Sequence, residues 1–189
     1  MRIAWAVLLM LLGPCAWAQP RPDACQAQIP RTLADALAAS FPGYRTPLET
    51  DNAPEDIQYS RAHGGSGCLG VANADFTGEG KKDYLVGLAA LKGGRGMAVV
   101  AMPRRGGWRF QPVRSGIEDS RVRQYVDVVA PGRLERAPAL TAPLRTSERR
   151  SLDCPYWGAR VGSVEGTAIV YCHVGGQWLH VQVADRPAQ

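Results

Sequence analysis

Two runs near the C-terminus, Thr167 to Val174 and Gln177 to Val183, flank the dipeptide Gly175-Gly176. This arrangement constrains the chain more than any other. A two-residue glycine turn between β-prone runs specifies an antiparallel hairpin and sets its register. Val174 then opposes Gln177, and Cys172 opposes Leu179. One face carries Val170, Cys172, Val174, Leu179 and Val181, and the other carries Tyr171, His173, Trp178 and His180. The first face belongs to a core. The second is a candidate polar-aromatic binding patch, although packing against the rest of the fold would use the same rings.

Other segments follow the same pattern. Tyr84 to Leu91 and Met97 to Met102 are continuous apolar runs about a glycine-rich turn, as expected of buried hairpin strands. Trp108 to Gln111 and Tyr125 to Ala130 are further strand candidates. A single substantial helix is predicted at Thr32 to Phe41, with Thr32 as N-cap, Asp35 at the capping-box position and Pro42-Gly43 as its stop. Residues 131–150, rich in Pro, Arg and Thr, read as a long irregular connection. The expected class is α+β, mainly β: an antiparallel sheet with one N-terminal helix.

The N-terminus predicts where such a chain works. Arg2, an apolar run from Ile3 to Leu12 and Ala16-Trp17-Ala18 form a secretory signal peptide over residues 1–18, leaving one exported domain over 19–189. A competing reading, a lipoprotein anchored through Cys15, fits poorly with Pro14 directly before that cysteine. The mature chain keeps Cys25, Cys68, Cys154 and Cys172. In a periplasmic or secreted protein, four cysteines read as two disulfides with three connectivities. Pairing of sequence neighbours favours Cys25–Cys68 and Cys154–Cys172.

The formal net charge is +5, and only three of the 22 basic residues are lysines, Lys81, Lys82 and Lys92. The arginines are scattered through the chain and form no basic helix, which argues against a nucleic-acid surface. Catalytic signals are sparse. His63-Gly-Gly-Ser66-Gly67 has the look of an esterase oxyanion loop, but no G-x-S-x-G elbow accompanies it. An enzyme would need His63, Ser66 and a carboxylate to meet in a cleft.

The most specific chemistry lies in ADFTGEGKKDYLVGL, residues 74–88. Oxygen-bearing side chains fall at Asp75, Thr77, Glu79 and Asp83, with Gly80 permitting a sharp turn. Alternation of ligand and spacer can wrap a calcium ion, which takes six to eight oxygen ligands. No Glu stands where an EF-hand would need one, because Val86 occupies that position. The stretch resembles the FG-GAP/VCBS-type repeat, in which such a loop binds calcium and tandem copies build propeller blades. The resemblance implies Asp75, Thr77, Glu79, the Lys81 main chain and Asp83 as ligands of a structural calcium. It covers about 15 residues. Thr77 and Glu79 depart from the usual Asn or Asp. The chain is too short for several four-stranded blades. The chain also resembles small exported bacterial proteins carrying one such motif.

These features together suggest an exported, non-catalytic binding or interaction module whose partner is an envelope protein or glycan. The alternatives are a periplasmic hydrolase inhibitor and, further off, a small hydrolase.

Overall fold

The computed structural model describes residues 21–93, 96–117, 124–163 and 166–184. The expected signal peptide, residues 1–18, and Cys15 lie outside these residues. Among the described residues no helix is long and apolar enough to cross a membrane.

The chain opens on a short 3-10 turn, Gln26–Gln28, followed by helix α1 (Arg31–Ser40) and strand β1 (Tyr44–Arg45). Helix α2 (Pro54–Ala62) precedes β2 (Val71–Ala74), β3 (Asp83–Ala90), β4 (Gly96–Arg104) and β5 (Gly107–Ile117). Then come β6 (Gln124–Val129), β7 (Gly132–Glu135), β8 (Ser151–Cys154), β9 (Gly158–Ser163), β10 (Thr167–Val174) and β11 (Gln177–Ala184). Among the described residues strand accounts for 45% and helix for 17%, so the fold is mainly β.

Among the described residues all pairings between these strands are antiparallel, and Glu148 adds one isolated parallel bridge to His180 of β11. One sheet runs β1-β3-β4-β5, with β2 sharing the free side of β3. A second runs β11-β10-β9-β6, and β7 and β8 form a separate ribbon. The glycine hairpin has the register read from its turn, with Val174 opposite Gln177 and Cys172 opposite Leu179. Both glycines adopt positive φ (57° and 79°), which a residue bearing a Cβ resists.

The layers explain the apolar runs. In β4, Val99 and Ala101 face a cluster beneath α1, while Ala98, Val100 and Met102 face the second sheet. In β3, Val86 and Leu88 take the first side and Leu85 the second. Across from Leu85 and Val100 lie Val126, Val161 and Tyr171 of the second sheet. The far face of that sheet, with Val170, Cys172 and Val181, is closed by Leu152 and Cys154 of β8. Central strands here are covered on both faces, so alternation gives way to continuous apolar sequence. Each fully buried Val or Leu contributes roughly 1.5–3 kcal/mol.

Both disulfides join the sequence neighbours, Cys25 to Cys68 and Cys154 to Cys172. The first lies in the cluster under α1 and the second in the cluster behind β10.

Three expectations require correction. Helix α1 starts at Arg31 with Pro30 at the N-cap and no side-chain cap, so Thr32 lies within its first turn. The Leu33 and Ala34 amides bond to the Pro30 carbonyl, which starts the helix one turn before Asp35 could complete a capping box. Second, α1 is not the only helix. Pro54 opens α2 at its first turn, beside Glu55 and Asp56, and Arg61 closes it, a charge order that suits the helix dipole. Its apolar stripe is thin, with Ile57 its one buried hydrophobic residue, and the hydrophobic pattern therefore hides it. Third, residues 131–150 are not irregular throughout. They contribute β7, and the segment after it runs along the outer edge of β11. There the Ala137 amide donates to Gln182 O, the Arg149 amide to His180 O, and the His180 amide to Ser147 O. The connection thus occupies a sheet edge that would otherwise offer unpaired backbone groups.

Candidate functional site

The 75–83 corner joins β2 to β3, whose pairing brings Ala74 opposite Asp83. Phe76, fully buried, plugs the corner into the core between the sheets. Gly78 and Gly80 both hold positive φ (74° and 72°) and let the backbone double back. The amides this exposes are collected by one side chain. Asp75 Oδ1 accepts from the Gly78 and Glu79 amides (2.7 and 3.1 Å), and Oδ2 accepts from Gly80 (2.7 Å). Asp83 Oδ2 accepts from the Phe76 amide (3.0 Å) and the Thr77 hydroxyl (3.2 Å).

Asp83 is a buried carboxylate, 1% exposed. Its pKa is raised to about 6, chiefly by burial and in part by the nearby Asp75 carboxylate, against the lowering effect of the Phe76 and Thr77 hydrogen bonds. Of the residues implied as calcium ligands, Asp75, Thr77 and Asp83 therefore converge. Glu79 turns to Arg104 in an ion pair. Among the described residues no three His, Cys, Asp or Glu side chains gather as a metal cage.

A shallow cleft of about 440 Å³ opens beside this corner. It is lined by Asn73, Asp75, Gly80, Lys81 and Lys82 at the corner, together with Val128 of β6 and Trp157. Trp157 and its neighbour Tyr156 are 41% and 40% exposed, unusual for rings of that size. They are held in place at both ends. Cys154 is tied to Cys172, and Gly158 pairs with Val129 at the start of β9. The Tyr156 ring rests on Gly78, where an added Cβ would come within 2.2 Å of ring carbons. A short rigid segment thus stands directly over the corner.

The hairpin patch takes a different place. Tyr171, His173, Trp178 and His180 do share a face and form two cross-strand ring pairs, Tyr171–His180 at 5.3 Å and His173–Trp178 at 5.4 Å. That face lies toward the second sheet's core. Tyr171 is buried in the inter-sheet cluster, and Trp178 packs against it. Burial pushes the Tyr171 hydroxyl up to about 12 and the half-buried His180 down. Tyr171 and Trp178 thus serve as a packing face, with the partly buried His180 and His173 paired against them.

His63 and Ser66 do not form a nucleophile and base. His63 Nδ1 lies 2.8 Å from the Tyr59 carbonyl, and the ring stacks on Tyr59 at 4.0 Å. The Ser66 hydroxyl accepts from Gln28 Nε2 (2.8 Å) and the Cys68 amide (3.1 Å). The Gly-rich stretch works as a helix stop and a brace for the first disulfide.

Sequence reasoning identified the corner but missed the aromatic part of the cleft. Trp157 is more than seventy residues from Lys82, and nothing local links them. The available signal was a pair of large aromatics between a half-cystine and a glycine, in a place where no strand could bury them. Neither a family model, nor a curated protein, nor a solved structure matches the chain.

Proposed function

We propose that this chain is an exported, non-catalytic binding module of the cell envelope, and that its ligand is a glycan held in the cleft between the 75–83 corner and Trp157. One observation carries this reading: an exposed indole, rigidly mounted, lines a cleft of small-ligand size together with amide, carboxylate and amine side chains. The apolar C–H face of a sugar ring stacks on such an indole, while its hydroxyls bond to side chains like Asn73 and Lys82. The rigid mounting keeps the ordering cost of binding low. The test is co-sedimentation of the mature protein with purified envelope polysaccharide. Retention that falls at least tenfold in Trp157→Ala, at unchanged melting temperature, supports the reading. Equal retention of the variant and the parent rejects it.

The same reading gives the corner a structural calcium. Asp83 is a buried carboxylate near Asp75, with no cationic side chain bonded to it among the described residues. An ion there would be held by Asp75, Thr77, Asp83 and the Lys81 main chain, with Glu79 joining only on leaving Arg104. Calcium at about a hundredfold over its dissociation constant would add about 2.7 kcal/mol to stability. That corresponds to a melting temperature about 5–10 °C higher than in chelator. The shift should vanish in Asp75→Ala and grow in Arg104→Ala, which frees Glu79. Identical melting in calcium and chelator would remove the ion from the account.

A further inference from the structure

We infer that the cleft selects an anionic saccharide, one bearing a carboxylate or phosphate, over a neutral one; this rests on the cleft being the binding surface. The reason is the charge placed at the cleft. Three acidic residues belong to the corner, and all are engaged within the protein. Asp75 directs both carboxylate oxygens at amides of its own loop. Glu79 is paired with Arg104, and Asp83 is buried under Phe76 and Thr77. The two cations at the same corner are different. Lys81 and Lys82 are exposed and line the cleft, and among the described residues neither has an ion-pair partner.

Some arginines of the chain are matched to carboxylates, as Arg45 is to Asp51, Arg61 to Glu49 and Arg160 to Asp127, so the charges of Lys81 and Lys82 stand out by their place at the cleft and not by being unpaired. The protein has only three lysines, and two of them stand side by side here. An ammonium is a compact charge on a flexible stem, able to follow a carboxylate or phosphate without a fixed fork geometry. Trp157 supplies the surface for the sugar ring, and the lysines supply the attraction for its acidic substituent. The low-dielectric wall formed by Val128 and the indole strengthens that attraction.

Isothermal titration calorimetry of the mature protein with trigalacturonate, glucose 6-phosphate and maltotriose tests this. An acidic sugar is expected to bind at least about tenfold more tightly than maltotriose, with the preference shrinking as salt rises. The double variant Lys81→Gln/Lys82→Gln should lose about tenfold for the acidic sugar. Lys81→Arg/Lys82→Arg should keep most of the affinity, showing that charge and not loop folding is at stake. The tighter of the two acidic sugars assigns the carboxylate or the phosphate source. Equal affinity for maltotriose, or an unchanged affinity in the glutamine variant, overturns the anionic preference; if Trp157→Ala still abolishes binding, the glycan cleft stands. Binding of none of the three sugars also overturns the preference, and the co-sedimentation result then decides separately on the cleft.

Discussion

Glu148→Ala is expected to lower folding stability by about 3–5 kcal/mol, the usual result of removing one partner from a buried ion pair. Glu148 and Arg136 have side chains only 4% and 11% exposed, and Arg136 Nε donates to Glu148 Oε1 at 2.9 Å. The guanidinium also donates to the Leu140 and Ala142 carbonyls (2.5 and 2.8 Å), and Glu148 Oε2 accepts from the Arg145 amide (2.9 Å). Together these bonds shape residues 136–148 into the segment that runs along β11. Without the carboxylate, a buried guanidinium is left uncompensated and the edge of β11 loses its cover. Replacing both partners with apolar residues, Arg136→Met with Glu148→Leu, should fall much closer to the parent, because no charge is then stranded.

The same pair has a signature in pH. The Arg145 amide, opposed by burial and aided by the Arg136 guanidinium, holds the Glu148 carboxyl below its ordinary value. A depressed acid contributes stability that is present above its unfolded pKa and lost as pH falls through the folded one. The parent should therefore lose stability below about pH 4.3, the ordinary glutamate value, more steeply than Glu148→Gln does. Urea unfolding at neutral and acidic pH measures both effects. A loss under 1 kcal/mol for Glu148→Ala would mean that water reaches the pair and that the loop is not held by it.

The second large effect concerns the cross-links. Opening the Cys25–Cys68 bond by Cys25→Ala/Cys68→Ala is expected to cost about 4 kcal/mol in chain entropy for a separation of 43 residues. Opening Cys154–Cys172, with a separation of 18, should cost about 3 kcal/mol. The first bond also anchors the N-terminal segment, where Asp23 caps the Cys25 and Gln26 amides and accepts from the Glu49 amide. Denaturant unfolding of the two double variants under oxidising conditions gives the comparison. A larger loss at the shorter loop would show that native packing of Cys172 behind β10, and not loop entropy, sets the order.

The parts of this fold that the sequence made legible are those whose cause is local. A two-glycine turn set the 174–177 register because hairpin geometry depends on the turn alone. The runs at Tyr84 and Met97 announced strands buried on both faces, and the packing of β3 and β4 between α1 and the second sheet accounts for their composition. Disulfide pairing followed from sequence proximity. Helix α2 was hidden because helices are recognised by a broad apolar stripe, and this one rests on Ile57 with charge order at its ends. The edge role of residues 136–149 was equally hidden, since a loop lying on a strand edge uses its backbone and leaves little mark on side-chain pattern.

The candidate site divides along the same line. By itself the sequence determined the oxygen-rich corner at 75–83 and the shared face of Tyr171, His173, Trp178 and His180, because turn and strand geometry relate residues only a few positions apart. Tertiary structure alone decided that this aromatic face turns inward and that Tyr156 and Trp157 stand over the corner instead. The physical reason is that exposure depends on which surfaces the two sheets bury against each other. That choice is made by contacts between residues tens of positions apart, which no local pattern records.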